Sequence, residues 1–389
     1  MGLGPDDPTH LQSHSDRRRP PIFRKCLPSP RASGERVRER GPRSTAAPCP
    51  PPRSTGRGPA QSSAPRPRGR GRLAIFAALA SLVAALAGCK PEIGNPPSLV
   101  TGPEMLALRQ TPPEVTPGGT VTFEALLGDV TGTLPLSIGW TVCLTPKPPS
   151  ETNSVSEACV VMPDSDPPVD GQAMLAMPSN ACSLFGPDPP PVTPPVRPRD
   201  PDATGGYYVP VRADAQTVGG TNLLAFAFER IQCNLANAPS DVARMYNMMY
   251  LPNVAPVIAD VVADPDGAAP ATVLPASGAP PEGLTVASGA DLTLRLSWPP
   301  ESAESYVRYD PQGRTLTTAR EALRVSWFTT AGVYAHDRTG RTGEEPDAST
   351  DNVWTAPMVD APSIVHFWVV LRDERGGVDF TSFDLNVSP

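Results

Sequence analysis

At 389 residues the chain has room for two domains of ordinary size. Its formal charge of −7 averages two unlike parts. Of 33 basic residues 16 lie in residues 1–88, against five of the 40 acidic ones, so the chain from Cys89 onward holds 17 basic and 35 acidic residues, a formal charge of −18. So acidic a body repels phosphate backbones, which argues against nucleic acid as a partner; solubility is its plainest meaning.

Residues 1–70 are rich in Pro, Arg, Ser and Gly and lack a periodic apolar pattern, so a disordered leader is expected there. The basic run from Arg31 to Arg43 fits a translation start assigned too far upstream, with the true start between residues 60 and 73. Residues 71–88 read as a signal peptide. Arg66, Arg68, Arg70 and Arg72 form a basic approach to the apolar run Leu73 to Leu86, 14 residues against the roughly 20 that span a bilayer. The run closes on Leu86-Ala87-Gly88-Cys89, where small residues precede a thiol nucleophile. This tetrad resembles the lipobox of bacterial lipoproteins. The resemblance implies diacylation of Cys89, cleavage between Gly88 and Cys89, and acylation, as with palmitate, of the new amino terminus. Lys90 follows, with no Asp to signal inner-membrane retention, which by the same resemblance favours the outer membrane. Several buried acyl chains, each worth about 0.8 kcal/mol per CH₂, make such an anchor effectively permanent. Residues 89–102 then read as a lipidated tether.

Beyond Cys89 the chain carries Cys143, Cys159, Cys182 and Cys233. An even count in an oxidising compartment predicts two disulfides. Three connectivities are open; Cys143–Cys159 with Cys182–Cys233 is favoured because the first pair closes a short Pro-rich loop. No pair has CxxC spacing and no His is near, so no metal is expected there.

The body speaks in short alternating apolar runs punctuated by Pro, Gly and Asp, which predicts an all-β protein. Two immunoglobulin-like sandwiches in tandem are expected, over 103–253 and 254–389. Val115, Gly118, Val121, Phe123, Ala125 and Leu127 align with Val286, Gly289, Leu292, Leu294, Leu296 and Trp298: in each copy a Gly turn enters a strand of period two. Each copy then has a Trp-bearing run, Leu136-Ile138-Trp140-Val142 and Leu323-Val325-Trp327, in the manner of the third major strand of immunoglobulin-like sandwiches. Between the copies, residues 163–204 are a Pro/Asp-rich insertion with Pro189 to Pro191 and Pro194-Pro195, and Leu223 to Cys233 reads as a strand. Ser240-Asp241 is placed to cap a short helix presenting Val242, Met245 and Met249 on one face. Val365, Phe367, Val369 and Leu371 alternate up to the turn Arg372 to Gly377, and Phe383, Leu385 and Val387 alternate after it, predicting a terminal hairpin. With Asn352, Trp354 and Pro357 ahead of it, this stretch resembles PKD-type and related bacterial Ig-like modules, which implies a non-catalytic spacer or adhesion unit.

Candidates for chemistry are few. Only His336 and His366 remain after residue 88, with no Gly-x-Ser-x-Gly elbow, P-loop or GxGxxG, so no enzyme and no cofactor is expected. Two acidic groups, Asp260/Asp264/Asp266-Gly267 and Asp337/Glu344/Glu345/Asp347/Asp351, have the ligand chemistry for calcium but not its loop spacing, and Asp-Gly is also a plain turn former. Met245, Met248 and Met249 could offer soft copper ligands, and packing is the preferred reading. Tyr207, Tyr208, Tyr306, Trp327 and Trp354 could stack sugars, or fill the core. The expectation is a non-enzymatic, membrane-anchored envelope protein, a structural or protein-binding spacer, with carbohydrate or cell wall as the alternative partner.

Overall fold

The computed structural model describes residues 95–131, 138–147, 154–161, 172–187, 204–217, 219–264, 271–275 and 280–389. The leader, the signal segment, the Leu86–Cys89 tetrad, Leu136, Asp266, Gly267 and the prolines from 189 to 195 lie outside the described residues, which belong to one compact unit.

The chain folds as two immunoglobulin-like β-sandwiches. The first uses β1 (Glu104–Thr111), β2 (Glu114–Val115), β3 (Thr120–Gly128), β4 (Ile138–Val142), β5 (Gln172–Ala176), β6 (Gly206–Gln216) and β7 (Asn222–Gln232). Its sheets run β1-β3-β5 and β2-β7-β6-β4. Alternation drives this arrangement, since period-two side chains share one face. Val121 and Phe123 of β3 point inward to meet Trp140 of β4, Val209, Val211 and Ala213 of β6, and Ala227 and Ile231 of β7. The Phe123 and Trp140 rings meet at a tilt across the core, their centroids 5.5 Å apart. Two short helices, α1 (Glu157–Val160) and α2 (Ala181–Phe185), lie between β4 and β6.

The second sandwich uses β8 (Asp260–Asp264), β9 (Thr272–Val273), β10 (Thr285–Ala287), β11 (Asp291–Ser297), β14 (Leu323–Thr329), β15 (Val333–Tyr334), β16 (Arg338–Arg341), β17 (Ser349–Thr355), β18 (Ser363–Arg372) and β19 (Val378–Ser388). Its sheets are β10-β19-β18-β14-β16 and β15-β17-β11-β8-β9. A separate hairpin, β12 (Ser305–Asp310) with β13 (Thr315–Arg320), is inserted ahead of β14.

The internal similarity in the sequence is a similarity of topology. In each sandwich the Gly-led strand pairs antiparallel with an earlier and a later strand, β3 with β1 and β5, β11 with β8 and β17. The Trp-bearing strand pairs with the penultimate one, β4 with β6 and β14 with β18. A short strand lies parallel to the last one, β2 on β7 and β10 on β19. The terminal hairpin forms over the full register from Ser363↔Val387 to Arg372↔Val378.

Helix α3 (Ser240–Met249) follows the first sandwich. Two details differ from the sequence reading. Pro239 occupies the cap position and no side chain caps the helix. The inward face is Val242, Tyr246 and Tyr250, packed on Val307, Tyr309 and Leu316 of the inserted hairpin. Met245, Met248 and Met249 are exposed by 49, 79 and 51%, so they neither fill a core nor gather around a buried site. The tyrosines win the inward face because each adds a hydrogen bond to its ring: Tyr246 donates to the Thr204 carbonyl and Tyr250 to the Glu114 carboxylate.

Candidate functional site

A network of buried, mutually bonded polar side chains lies where the two sandwiches meet. Glu114 lies at the start of β2 and Arg230 near the end of β7, opposite each other in the parallel pairing. Both are almost fully buried, with Arg230 Nε 3.2 Å from Glu114 Oε2. Arg230 also donates to the Thr204 hydroxyl at 2.8 Å and to the Tyr208 hydroxyl at 3.3 Å. Glu114 accepts in addition from Tyr250 and from the backbone N–H of Asn253 at 2.8 Å. The carboxylate of the first sandwich thereby holds the start of the connection to the second.

The second sandwich grips the same connection from its own side. The turn between β18 and β19 is closed by Asp373, which accepts from the N–H groups of Arg375 (2.9 Å) and Gly377 (2.7 Å) and from Asn253 Nδ2 (3.1 Å). Arg375 points back into the junction. It donates to Glu321 at 2.5 Å, to Glu304 at 2.9 Å and to the Leu251 carbonyl at 3.2 Å, and its guanidinium stands 4.8 Å over the Tyr306 ring. Glu304 accepts from the N–H of Val254 as well. Burial, with Asp373 and Glu304 nearby, pushes Glu321 up to about 7 against the pull of Arg375. Gln110 and Tyr208 of the first sandwich donate to the Gly376 and Arg375 carbonyls of the turn. Breaking one partner of a buried ion pair of this kind costs about 3–5 kcal/mol, because the other charge stays buried.

An apolar contact runs beside the ionic one. Val100, Leu106, Ala107 and Leu126 pack on Trp368, Val370 and Val378, while Arg109 lies 4.2 Å over Phe380 and bonds Asp379 at 2.7 Å. The tether expected over 89–102 is therefore not free to its end. Val100 N–H donates to the Thr329 carbonyl, Thr329 N–H to the Ser98 carbonyl, and Ser98 Oγ to Asp337 at 2.6 Å. Residues 98–100 dock on β14 of the second sandwich before the chain enters the first.

The remaining sequence candidates disperse. Cys143 pairs with Cys159 and Cys182 with Cys233, at Cα separations of 5.6 and 5.8 Å. Tyr207, Tyr306, Trp327 and Trp354 are buried, and only Tyr208, 37% exposed, shows a face, so no sugar-stacking platform forms. His366 bonds Asp384 at 2.7 Å on the outside of the terminal hairpin, and the backbone at His336 is bonded by Asn352. The acidic residues are engaged separately: Asp260 by Ser297, Asp337 by Ser98, Glu345 by Thr342, Asp347 by Arg341 and Asp351 by both arms of Arg295. Among the described residues no three His, Cys, Asp or Glu side chains converge as a metal site.

One carboxyl escaped the sequence reading. Glu229 of β7 faces the core of the first sandwich with no exposed surface, and among the described residues neither oxygen has a hydrogen-bond partner. Burial, reinforced by Glu114, pushes it up to about 9, so the side chain is neutral at pH 7.

No family model matches the chain and no curated protein matches it. Among solved structures it is similar to the adhesin InvE of Yersinia pseudotuberculosis at 12% identity, covering 72% of this chain and 58% of that one, with a TM-score of 0.18. It is similar to the native conformation of E. coli alpha-2-macroglobulin at 11% identity over 73% of this chain and 16% of that one (TM-score 0.20). A third is the alpha-L-rhamnosidase from Dictyoglumus thermophilum, at 9% identity over 74% and 29% (TM-score 0.19). The chain spans less than two thirds of each of these, and at such TM-scores the likenesses carry no argument about function.

Proposed function

We propose that this chain is a non-enzymatic, lipid-anchored envelope protein of the outer membrane, whose paired sandwiches form a rigid structural or protein-binding spacer. The observation that carries this reading is the grip on both connecting segments: residues 251–254 are bonded from both sandwiches, and residues 98–100 are bonded to the second. A spacer transmits position only if its joints are stiff, and buried charge pairs resist bending because any opening exposes or strands a charge. If Cys89 carries the lipid, eight residues lie between it and docked Ser98, nine steps with a reach of about 30 Å at most. The sandwiches would then stay close to the bilayer. The glycan-binding alternative has less support, since four of the five aromatics that suggested it are buried and only Tyr208 shows a face.

The test is fractionation of Cys89→Ala. The parent protein is expected in the membrane fraction with a mature terminus at Cys89, and the variant uncleaved before residue 89 and without acyl chains. A variant that is processed and retained like the parent would contradict the anchor.

A further inference from the structure

Three arginines share one face of the β16-β14-β18 sheet, beside the part of it that Trp368 and Val370 bury against the first sandwich. Arg324 of β14 stands directly opposite Arg372 of β18 in the antiparallel register. On its other side Arg324 is opposite Gly340 of β16, and Arg338, two residues earlier on that strand, is opposite Ser326. Side chains two apart on a strand share a face, so Arg324, Ser326, Arg338 and Arg372 belong to one surface across three adjacent strands about 4.8 Å apart. Ser326 lies in the middle, its hydroxyl 3.3 Å from Arg372 Nη1. Gly340 leaves the place opposite Arg324 without a side chain. Its φ is +150°, and a Cβ there would collide with the Leu323 carbonyl, so no side chain can stand opposite Arg324.

Like charges directly opposite on neighbouring strands are destabilising. Several other arginines of this body are neutralised: Arg109, Arg230, Arg295 and Arg375 each have a carboxylate within 3.2 Å. The triad has none among the described residues. Among the described residues Arg372 donates to Ser326 and to the Leu106 carbonyl, and burial together with Arg338 lowers its proton affinity. Arg324 and Arg338 are exposed. In a part of the chain where acidic residues outnumber basic ones two to one, leaving three guanidinium groups unneutralised on neighbouring rungs is a cost that a bound anion would relieve.

We propose that Arg324, Arg338 and Arg372, with the Ser326 hydroxyl, form a binding site for a dianionic oxyanion, a phosphate or sulfate group. Planar guanidinium forks bind such oxyanions through paired N–H···O bonds, and a hydroxyl supplies one more donor. The site stands on the described residues alone and does not depend on lipidation of Cys89.

The experiment is titration calorimetry of the full-length protein at 0.1 M salt, where the acidic remainder of the surface is screened beyond about 10 Å. Inorganic phosphate, dextran sulfate and neutral dextran are the probes. Inorganic phosphate is expected to bind, with dextran sulfate binding more tightly if the natural source is a polymer and no more tightly if it is a free anion; neutral dextran is expected not to bind. The double variant Arg324→Gln/Arg338→Gln should lose at least tenfold in affinity and melt no lower than the parent, since it removes repulsion. Arg308→Gln/Arg314→Gln on the inserted hairpin should bind as the parent does. Absence of binding by both anions, or affinity retained by the first double variant, overturns the proposal.

Discussion

The two sandwiches share one topology and are stabilised by different means. The second buries Trp298, Trp327, Trp354, Phe367 and Phe383 around long, uninterrupted strands and contains no cysteine. The first buries Phe123 and Trp140 among aliphatics, carries in its core a carboxyl with no hydrogen-bond partner among the described residues, and holds both disulfides. Aromatic burial supplies the second with what covalent cross-links supply the first. A fold of this kind tolerates either source of stability, because the strand order is set by alternation and by the parallel closing strand rather than by any one core residue.

The sharpest way to break this comparison is to attack each sandwich where it is strongest. Trp327→Ala should cost about 3–5 kcal/mol, since the ring is fully buried and the site cannot collapse around so large a void. Chemical denaturation followed by the remaining tryptophans would measure it, and a loss under 1 kcal/mol would mean the second core does not depend on its aromatics.

Next in size is removal of the longer disulfide. Cys182→Ala/Cys233→Ala opens a cross-link over 51 residues and should cost about 4 kcal/mol, against about 3 kcal/mol for Cys143→Ala/Cys159→Ala over 16 residues. Reductant should likewise loosen amide protection in the first sandwich and leave the second untouched. Equal loss in both would show that the cross-links do not act locally.

Over the range from pH 7 to 9 the smallest effect, up to about 2.8 kcal/mol, is a pH dependence. The folded state keeps the Glu229 proton up to about pH 9, whereas the unfolded chain releases it near 4.5. The unfolded state therefore binds fewer protons between those values, and stability falls as pH rises through that window, by up to about 1.4 kcal/mol per unit. Glu321, pushed up to about 7, adds a loss in the same direction over the lower part of the window. Glu229→Gln should flatten the decline above pH 7, as read by thermal melts at stepped pH. A wild-type profile flat from pH 7 to 9 would contradict the burial.

Much of the fold is legible in the sequence. Period-two alternation locates β3, β11, β14, β18 and β19, and the paired Gly-turn and Trp runs expose the repeat. What is not legible depends on long-range partners. Val242-Tyr246-Tyr250 and Met245-Met249 both satisfy a helical face, and hydrophobicity favours the methionines; only the distant acceptors Thr204 and Glu114 decide for the tyrosines. The hairpin β12–β13 lacks a clean apolar alternation on β13, where most residues are exposed or half-buried, so nothing local announces it. Glu114, Arg230, Glu321 and Arg375 sit far apart in the chain and resemble any surface charge until the junction buries them. The docking of residues 98–100 is hidden for the same reason, because a Pro-rich segment with a few polar residues reads as a tether.

The central claim is that the two sandwiches are joined stiffly, and hydrogen exchange tests it most directly. Amides of Asn253 and Val254, which donate to Glu114 and Glu304, and of Val100, which donates to Thr329, should exchange slowly, on the scale of strand amides such as those of β18. Exchange within seconds at these positions, with β18 still protected, would show two independently moving domains on a free linker and would contradict the account.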